Sequence, residues 1–146
     1  MAHLEYRLFD DAGEFPVLYA YDAIDGGEIA ARFACDKLIK DGKVYAKTST
    51  AYEPLTYVIY VREDGPSAPS AAAPPPLQGA CVEIRQDGES ETPGLLIESR
   101  EFTDAVDLVL CLASDYFYWL GDEWLKTTTV LDEDRRVYLY YAKKTS

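Results

Sequence analysis

The feature that most constrains this chain is a segment rich in proline and alanine, DGPSAPSAAAPPPLQG, at residues 64–79. It holds five prolines and four alanines in 16 residues. Proline lacks a backbone N–H and clashes with the preceding helical turn, so such a run supports neither a sheet nor an ordinary helix. The sequence therefore predicts a linker that divides the 146 residues into a first unit at 1–63 and a second unit at 80–146.

Both units carry the same order of local signals. In the first unit, apolar periodicity predicts two strands, a helix and two further strands: HLEYRLFD, PVLYAYDA, DGGEIAARFACDKLIKDG, KVYAKTSTAYE and LTYVIYVRE. In the second unit the corresponding segments are ACVEIRQ, GLLIES, REFTDAVDLVLCLASD, EWLKTTTVL and RRVYLYYAK. Each unit is therefore expected to be β-β-α-β-β.

The first predicted helix has recognisable end signals. Asp25 is placed to cap its N-terminus, and Glu28 three residues later completes the pattern of a capping box. Gly42 is expected to close the C-terminus in the left-handed conformation. These signals predict a helix over most of residues 25–42.

Three pairs of like residues align the two units. They recur at nearly constant offsets: Pro16 with Pro93 (77 positions apart), Cys35 with Cys111 (76) and Lys47 with Lys126 (79). The two lysines begin the similar tetrapeptides KTST and KTTT. Because the offsets drift only across loops, where insertions are tolerated, the sequence predicts an internal duplication.

The predicted units are too small to be stable alone. A unit of about 64 residues buries only about 60% of its unfolded surface. One amphipathic helix covers only one face of a four-stranded sheet. We therefore expect an α+β fold of two tandem β-β-α-β-β repeats with antiparallel sheets, packed with pseudo-twofold symmetry as one composite domain, like a fused isologous dimer.

The composition disfavours several classes of partner. The net charge is −12, and no Lys/Arg cluster exists to contact phosphates, so direct nucleic-acid binding is disfavoured. No apolar run of about 18 residues and no signal-peptide pattern occurs, which predicts a cytoplasmic protein without a membrane partner. The three scattered cysteines, without a CxxC pattern, favour reduced thiols. The acidity has two explanations, solubility or docking on a basic partner.

Little in the sequence points to catalysis. His3 is the only histidine and lies near the N-terminus, which disfavours Ser/His and Cys/His enzymes as well as a zinc site. No glycine-rich phosphate-binding motif occurs. Asp22, Asp25 and Glu28 could suggest a divalent cation, but helix capping explains them better. The sequence therefore predicts no enzymatic activity, no metal and no cofactor.

Aromatic residues are the most informative side chains. Twelve tyrosines and two tryptophans are concentrated in the predicted strands. Alternate residues of a strand face opposite sides, so Tyr138 and Tyr140 share one face of the last strand, and Val137, Leu139 and Tyr141 share the other. Both faces are apolar, so the second face must also be covered, by the other unit, a second chain or a ligand.

The order of elements resembles the GyrI-like proteins, which also occur as effector-binding domains of transcription activators. Glu123-Trp124 is similar to the acidic and aromatic pair that this family carries at the third strand of its second repeat. SREFTD stands where the family frequently has a Gly-Pro-Tyr turn. The resemblance implies a cleft between the repeats that binds small cationic or aromatic molecules, lined by aromatic rings and an acidic residue.

The resulting prediction is a non-enzymatic, cytoplasmic binding protein with an aromatic, acid-edged cleft between two repeats. Its ligand is expected to be a small cationic or aromatic molecule. The candidate ligand-binding residues are Tyr19, Tyr21, Tyr57, Glu123, Trp124, Tyr138 and Tyr140. The alternative is an acidic protein-interaction module or inhibitor, including a nucleic-acid mimic, that docks on a basic protein partner. The chain is expected to be a monomer with two repeats or a homodimer.

Overall fold

The computed structural model describes residues 2–67, 79–87 and 94–145. Within these ranges two helices of nine residues each accompany ten strands. The strands are β1 (Ala2–Leu8), β2 (Val17–Ile24), β3 (Lys37–Lys40), β4 (Lys43–Glu53), β5 (Thr56–Pro66), β6 (Ala80–Gln86), β7 (Leu96–Phe102), β8 (Tyr116–Trp119), β9 (Asp122–Asp132) and β10 (Val137–Lys144), and the helices are α1 (Gly26–Ala34) and α2 (Ala105–Ala113).

All ten strands belong to one mixed sheet. Its order is β2-β1-β5-β4-β3-β9-β10-β6-β7, and β8 pairs with β9 outside this path. The pairs β1–β5, β10–β6 and β3–β9 are parallel, and the other pairs are antiparallel. The predicted α+β fold of two β-β-α-β-β repeats with separate antiparallel sheets is therefore wrong.

The join between the halves explains this difference. β3 pairs antiparallel with β4 on one side and parallel with β9 on the other, so it carries the first half of the sheet directly into the second. In the part of the chain that the structure describes, β8 pairs only with β9 and has no such bridging role. The predicted packing with pseudo-twofold symmetry is therefore replaced by one continuous, strand-dominated sheet.

The strand β3 lies where the sequence predicted the end of the first helix. The helix ends at Ala34 because Cys35, its C-cap, has extended dihedral angles (φ −86°, ψ 142°). Asp41 and Gly42 then form a two-residue turn between β3 and β4, with φ of 53° and 75°. Gly42 is left-handed as predicted, but it serves a hairpin and not a helix terminus.

The tetrapeptides KTST and KTTT lie at the same kind of local structure. Thr48 in β4 and Thr127 in β9 each fall at a break in the pairing register with the following strand. The Lys47 ammonium donates to the carbonyl of Phe33 (2.7 Å), and Lys126 donates to the carbonyl of Leu112 (3.0 Å). Each lysine thus satisfies a carbonyl in the last turn of its own helix.

The other two residue pairs do not align the halves in the same way. Cys35 caps the end of α1, whereas Cys111 lies inside α2, whose C-cap is Ser114. Pro93 lies outside the described residues, so its match with Pro16 has no structural counterpart. The internal duplication stays a prediction.

The two helices contact each other, and their buried side chains join the larger of two apolar clusters. Tyr138 and Tyr140 belong to that cluster. Val137 and Leu139, which alternate with them, belong with Val130 to a smaller cluster. Both faces of β10 are therefore buried in apolar surroundings, as the alternation of its residues predicted.

Most of the predicted linker, residues 68–78, lies outside the described residues. Its first residues extend β5 as far as Pro66, and Gly79 directly precedes β6. Among the helices of the described ranges, none is long and apolar enough to cross a membrane.

Candidate functional site

A cleft of about 500 Å³ opens between α1 and the second half of the chain. The first half contributes residues of the α1 N-terminus and one turn beyond: Asp25, Gly27, Glu28 and Arg32. The second half contributes the start of β6, the segment from the end of β7 to the first turns of α2, the end of β9 and the turn into β10. The cleft therefore lies between the two halves of the chain.

The N-termini of both helices border the cleft. Asp25 Oδ2 accepts a hydrogen bond from the Gly27 amide (3.0 Å), and Asp104 Oδ1 accepts one from the Val106 amide (2.8 Å). These caps offset the positive ends of the two helix dipoles. Within the described residues, the second oxygen of each capping carboxylate has no hydrogen-bond partner. Together with the half-exposed Glu28, they give the cleft an acidic edge.

One part of the cleft wall is apolar. It is formed by Phe102, Leu108, Leu131 and the ring of Tyr138. Burial raises the pKa of the Tyr138 phenol, so the phenol is neutral at physiological pH. Carboxylates and an apolar, aromatic wall in one cleft suit a molecule with one charged group and one apolar side.

Arg32 forms the charged floor of the cleft. Its side chain is only 5% exposed and belongs to a network that joins both halves. Arg32 Nη1 donates to the Tyr6 hydroxyl and to Glu133 Oε2 (both 3.3 Å), and Nη2 donates to Glu28 Oε1 (3.2 Å). Its guanidinium carbon also lies 4.6 Å from the centre of the Tyr21 ring. A buried guanidinium needs such partners, because desolvation of an unpaired charge is costly.

Glu133 is the centre of this network. Its carboxylate accepts from Lys40 Nζ (2.6 Å) and the Tyr21 hydroxyl (2.7 Å) as well as from Arg32. Burial alone would raise the pKa of the Glu133 carboxyl, but these hydrogen bonds and cations outweigh burial and lower the pKa. Burial and the bond to Glu133 raise the pKa of Tyr21. Glu133 is therefore ionised near neutral pH and holds α1 and β3 against the β9–β10 turn.

The balance of charge around the cleft is negative. Four carboxylates line it, from Asp25, Glu28, Asp104 and Glu133, against the two guanidiniums of Arg32 and Arg136. Arg136 is exposed in the turn before β10, with a positive φ of 60°. Arg32 is paired with two of these carboxylates, those of Glu28 and Glu133.

Three of the predicted ligand-binding residues lie in or beside this site. Tyr138 lines the cleft itself. Tyr21 lies behind the floor, between Arg32 and Glu133. Tyr19 is one step further away, packed edge-on against Tyr45 with 5.9 Å between ring centres, and its ring lies 4.9 Å from Lys40 Nζ.

The other four predicted residues lie elsewhere. Tyr57 packs between Phe33 and Tyr52, with ring centres 6.1 and 5.0 Å away. Tyr140 is buried, and its hydroxyl donates to the Ser114 carbonyl (2.6 Å). Trp124 is buried in the core, and Glu123 is a surface acceptor for the Tyr118 hydroxyl (2.7 Å). The structure therefore separates Glu123-Trp124 from the acidic edge of the cleft.

Sequence reasoning missed Arg32, Glu133 and Asp104 as site residues. One signal for Arg32 was available, because it interrupts the apolar stripe formed by Ile29 and Phe33 and follows Glu28 by four positions. A charge on such a stripe must find a buried partner. Its partner Glu133 is 101 positions away in an apparent surface turn, so nothing in the local sequence connected them.

Cysteines and metal ligands add no second site. All three cysteines, which lie in the described ranges, are free thiols. Burial and the neighbouring Asp36 raise the pKa of the Cys35 thiol to about 12. Among the residues whose placement is described, no group of three His, Cys, Asp or Glu side chains is arranged to hold a metal ion.

The chain matches no protein-family model, no curated protein and no solved structure. The resemblance to the GyrI-like family, which rested on element order and on Glu123-Trp124, therefore stays a prediction.

Proposed function

We propose that this chain is a binding protein that takes a small organic cation with an apolar body into the cleft between α1 and the second half. The observation that carries this proposal is the pairing of an acidic edge with an apolar wall in a space of about 500 Å³. Ligand sites for small organic molecules typically measure about 300–1,000 Å³ and combine apolar walls with a few polar groups.

The charge of the ligand follows from which polar groups are free. The Asp25 and Asp104 carboxylates each use one oxygen in a helix cap and present the other. The net charge of −12 adds a long-range field that attracts cations and repels anions. The apolar wall of Phe102, Leu108 and Tyr138 then favours a cation that carries an aromatic or aliphatic body. The Tyr138 ring contributes a cation–π contact to the charged group of this ligand.

We propose binding and not catalysis because two titratable groups of the cleft, Glu133 and Tyr138, are not poised for proton transfer. Glu133 is held ionised by its partners, and Tyr138 is held neutral by burial. A general acid or base works best with a pKa near the working pH. We also propose a cytoplasmic location, which the three free thiols support. The GyrI-like resemblance, as a proposal, favours the same class of ligand.

The first test is a comparison of matched ions. Benzyltrimethylammonium is the cationic probe, and 4-phenylbutanoate is an anion of similar size. We expect the cation to raise the melting temperature, by about 5–10 °C at a concentration 100-fold above its Kd, and to bind more weakly at high salt. The proposal is contradicted if the anion stabilises the protein as much as the cation does, or if neither ion stabilises it.

Capping chemistry allows the carboxylates to be removed without loss of the helix caps. Serine caps a helix about as well as aspartate, so Asp25→Ser and Asp104→Ser delete the charge while keeping the cap. We expect each variant to fold normally and to weaken binding of benzyltrimethylammonium several-fold. Asp11→Ser is the matched control, because Asp11 is an exposed carboxylate that pairs with Arg62 outside the cleft. Equal weakening by the control would show that only the overall charge matters.

A further inference from the structure

The strands β3 and β8 hold corresponding places in the chain. Each follows a helix, and each pairs antiparallel with the next strand through a two-residue turn. The turn residues Leu120 and Gly121 have φ of 51° and 84°, and Asp41 and Gly42 have φ of 53° and 75°. Both hairpins therefore have the same type of tight turn.

This turn fixes which peptide groups of β8 face its partner. In such a hairpin the residues that flank the turn form a hydrogen-bonded pair, and every second residue repeats the pattern. Trp119 flanks the turn, so Trp119 and Phe117 bond to β9. The bond from the Lys126 amide to the Asp115 carbonyl (2.7 Å) continues this alternation. The N–H and C=O groups of Tyr116 and Tyr118 consequently point away from β9.

The corresponding groups of β3 are used in the sheet. Lys37 and Ile39 face β9, and the Glu133 amide donates to the Ile39 carbonyl (2.9 Å). Within the ranges that the structure describes, no strand pairs with the outer edge of β8. This edge therefore presents unused backbone donors and acceptors, which form a template for another strand.

The side chains of β8 support the same conclusion. Phe117 and Trp119 pack against the core with their rings stacked at 6.3 Å, so the strand is anchored. Tyr116 and Tyr118 point the other way and are 50% and 68% exposed. Natural edge strands are usually protected by lysine, proline or a bulge. The sequence YFYW carries none of these protections.

We propose that the outer edge of β8 receives an extended, basic segment of a partner protein by β-strand addition. Main-chain bonds to Tyr116 and Tyr118 provide affinity, and the two tyrosine rings pack against alternate side chains of the segment. The basic character follows from charge. Asp115 and Asp122 flank the strand and pair with Lys126 (4.0 Å) and Lys144 (3.2 Å), but Asp115 stays 78% exposed and the chain as a whole carries −12. A second copy of the chain would instead bring like charges together at this edge.

The edge itself is tested first by amide hydrogen exchange on the isolated protein. The Phe117 amide, which faces β9, is expected to be protected, whereas the Tyr116 and Tyr118 amides are expected to exchange at least tenfold faster. Protection of the Tyr118 amide in the monomer would mean that another part of the chain already fills the edge, and would overturn the proposal. Concentration-dependent dimerisation that protects the Tyr118 amide would also overturn the proposal.

Binding is then tested with capped hexapeptides followed by amide chemical shifts. The probe is acetyl-(Lys-Val)₃-amide, and its matched control is acetyl-(Glu-Val)₃-amide. We expect the basic peptide to shift the amides of residues 116–119 and to slow exchange at Tyr118, and the acidic peptide to do neither. Shifts confined to the cleft residues, equal binding of both peptides, or no shifts at millimolar peptide would each overturn the proposal.

Two substitutions separate backbone pairing from ring contacts. Tyr118→Pro removes an N–H that no strand of the described ranges uses, so the fold should survive, while peptide affinity should fall at least tenfold. Tyr118→Thr keeps the N–H and removes the ring, so it should lose only part of the affinity and remains informative if the proline variant misfolds. Asp115→Asn should weaken the basic peptide specifically. Unchanged affinity in Tyr118→Pro would overturn pairing at this edge.

Discussion

The contact between the two helix N-termini gives a sharp test of how the cleft is built. A Cβ added at Gly27 would lie 2.4 Å from the Cβ of Ala105 and 2.9 Å from Asp25 Oδ2. Carbon atoms in contact prefer about 3.5–4.0 Å, so Gly27→Ala requires the helices to move apart by about 1 Å. The same methyl group crowds the carboxylate that caps α1.

The expected loss of stability can be worked out from these contacts. Overpacking of this kind costs about 1–3 kcal/mol. Alanine returns up to about 1 kcal/mol through its better helix propensity. We therefore expect Gly27→Ala to lower the free energy of unfolding by about 1–2 kcal/mol, and the melting temperature by about 2–8 °C for a chain of this size. Urea unfolding and calorimetry measure both quantities.

Two variants serve as controls. A Cβ added at Gly26 would meet no atom within 4 Å, so Gly26→Ala should be neutral or slightly stabilising. Ala105→Gly should recover much of the loss when combined with Gly27→Ala, giving a favourable coupling in a double-mutant cycle. If Gly27→Ala behaves like Gly26→Ala, or if the two positions show no coupling, the close helix contact is refuted.

Three further predictions follow from the buried charges and thiol. Glu133→Gln should lower the free energy of unfolding by about 2 kcal/mol at pH 7, because it weakens the carboxylate partner of the buried guanidinium. Since the folded-state pKa of Glu133 is lowered, its contribution to stability is present above the ordinary carboxyl pKa of 4.5 and is lost as the pH falls below it. A difference in unfolding free energy between the two proteins, measured with urea, that stays constant from pH 7 to pH 3 would contradict this. Lys47→Met and Lys126→Met should each lower the free energy of unfolding by about 1 kcal/mol, because each leaves a carbonyl in the last helical turn without its ammonium donor. A loss of stability in only one of the two variants would show that the two tetrapeptides are not equivalent. Cys35, buried and with its pKa raised to about 12, should resist iodoacetamide at pH 8 until the protein unfolds, which peptide mapping by mass spectrometry measures.

Local features of the fold were accessible from the sequence. The strands at 43–53 and 80–86 were predicted with the bounds that the structure shows. Asp25 caps α1 as its position predicted. These features depend on side-chain alternation and on hydrogen bonds between near neighbours, so a short stretch of sequence contains the whole cause.

The short strands β3 and β8 could not be recognised in the same way. KLIK continues the apolar stripe of the preceding helix, and four residues are too few to distinguish a period of 2.0 from one of 3.6. The buried face of α2 could not be recognised either: Val106 and Leu110 are exposed, whereas Leu108 and Leu112 are buried. A helix that is apolar on several sides does not show which side the sheet covers.

The sequence by itself determined where most strands run, where the first helix starts, and that aromatic and acidic residues are abundant. Only the tertiary structure decided that β3 pairs in parallel with β9, that Arg32 meets Glu133, and that the helix N-termini enclose a cleft. The physical reason is the separation along the sequence over which each interaction acts. Alternation and capping act within a few residues, whereas these contacts join segments about 80–100 positions apart. They form only where packing of the whole sheet brings those segments together.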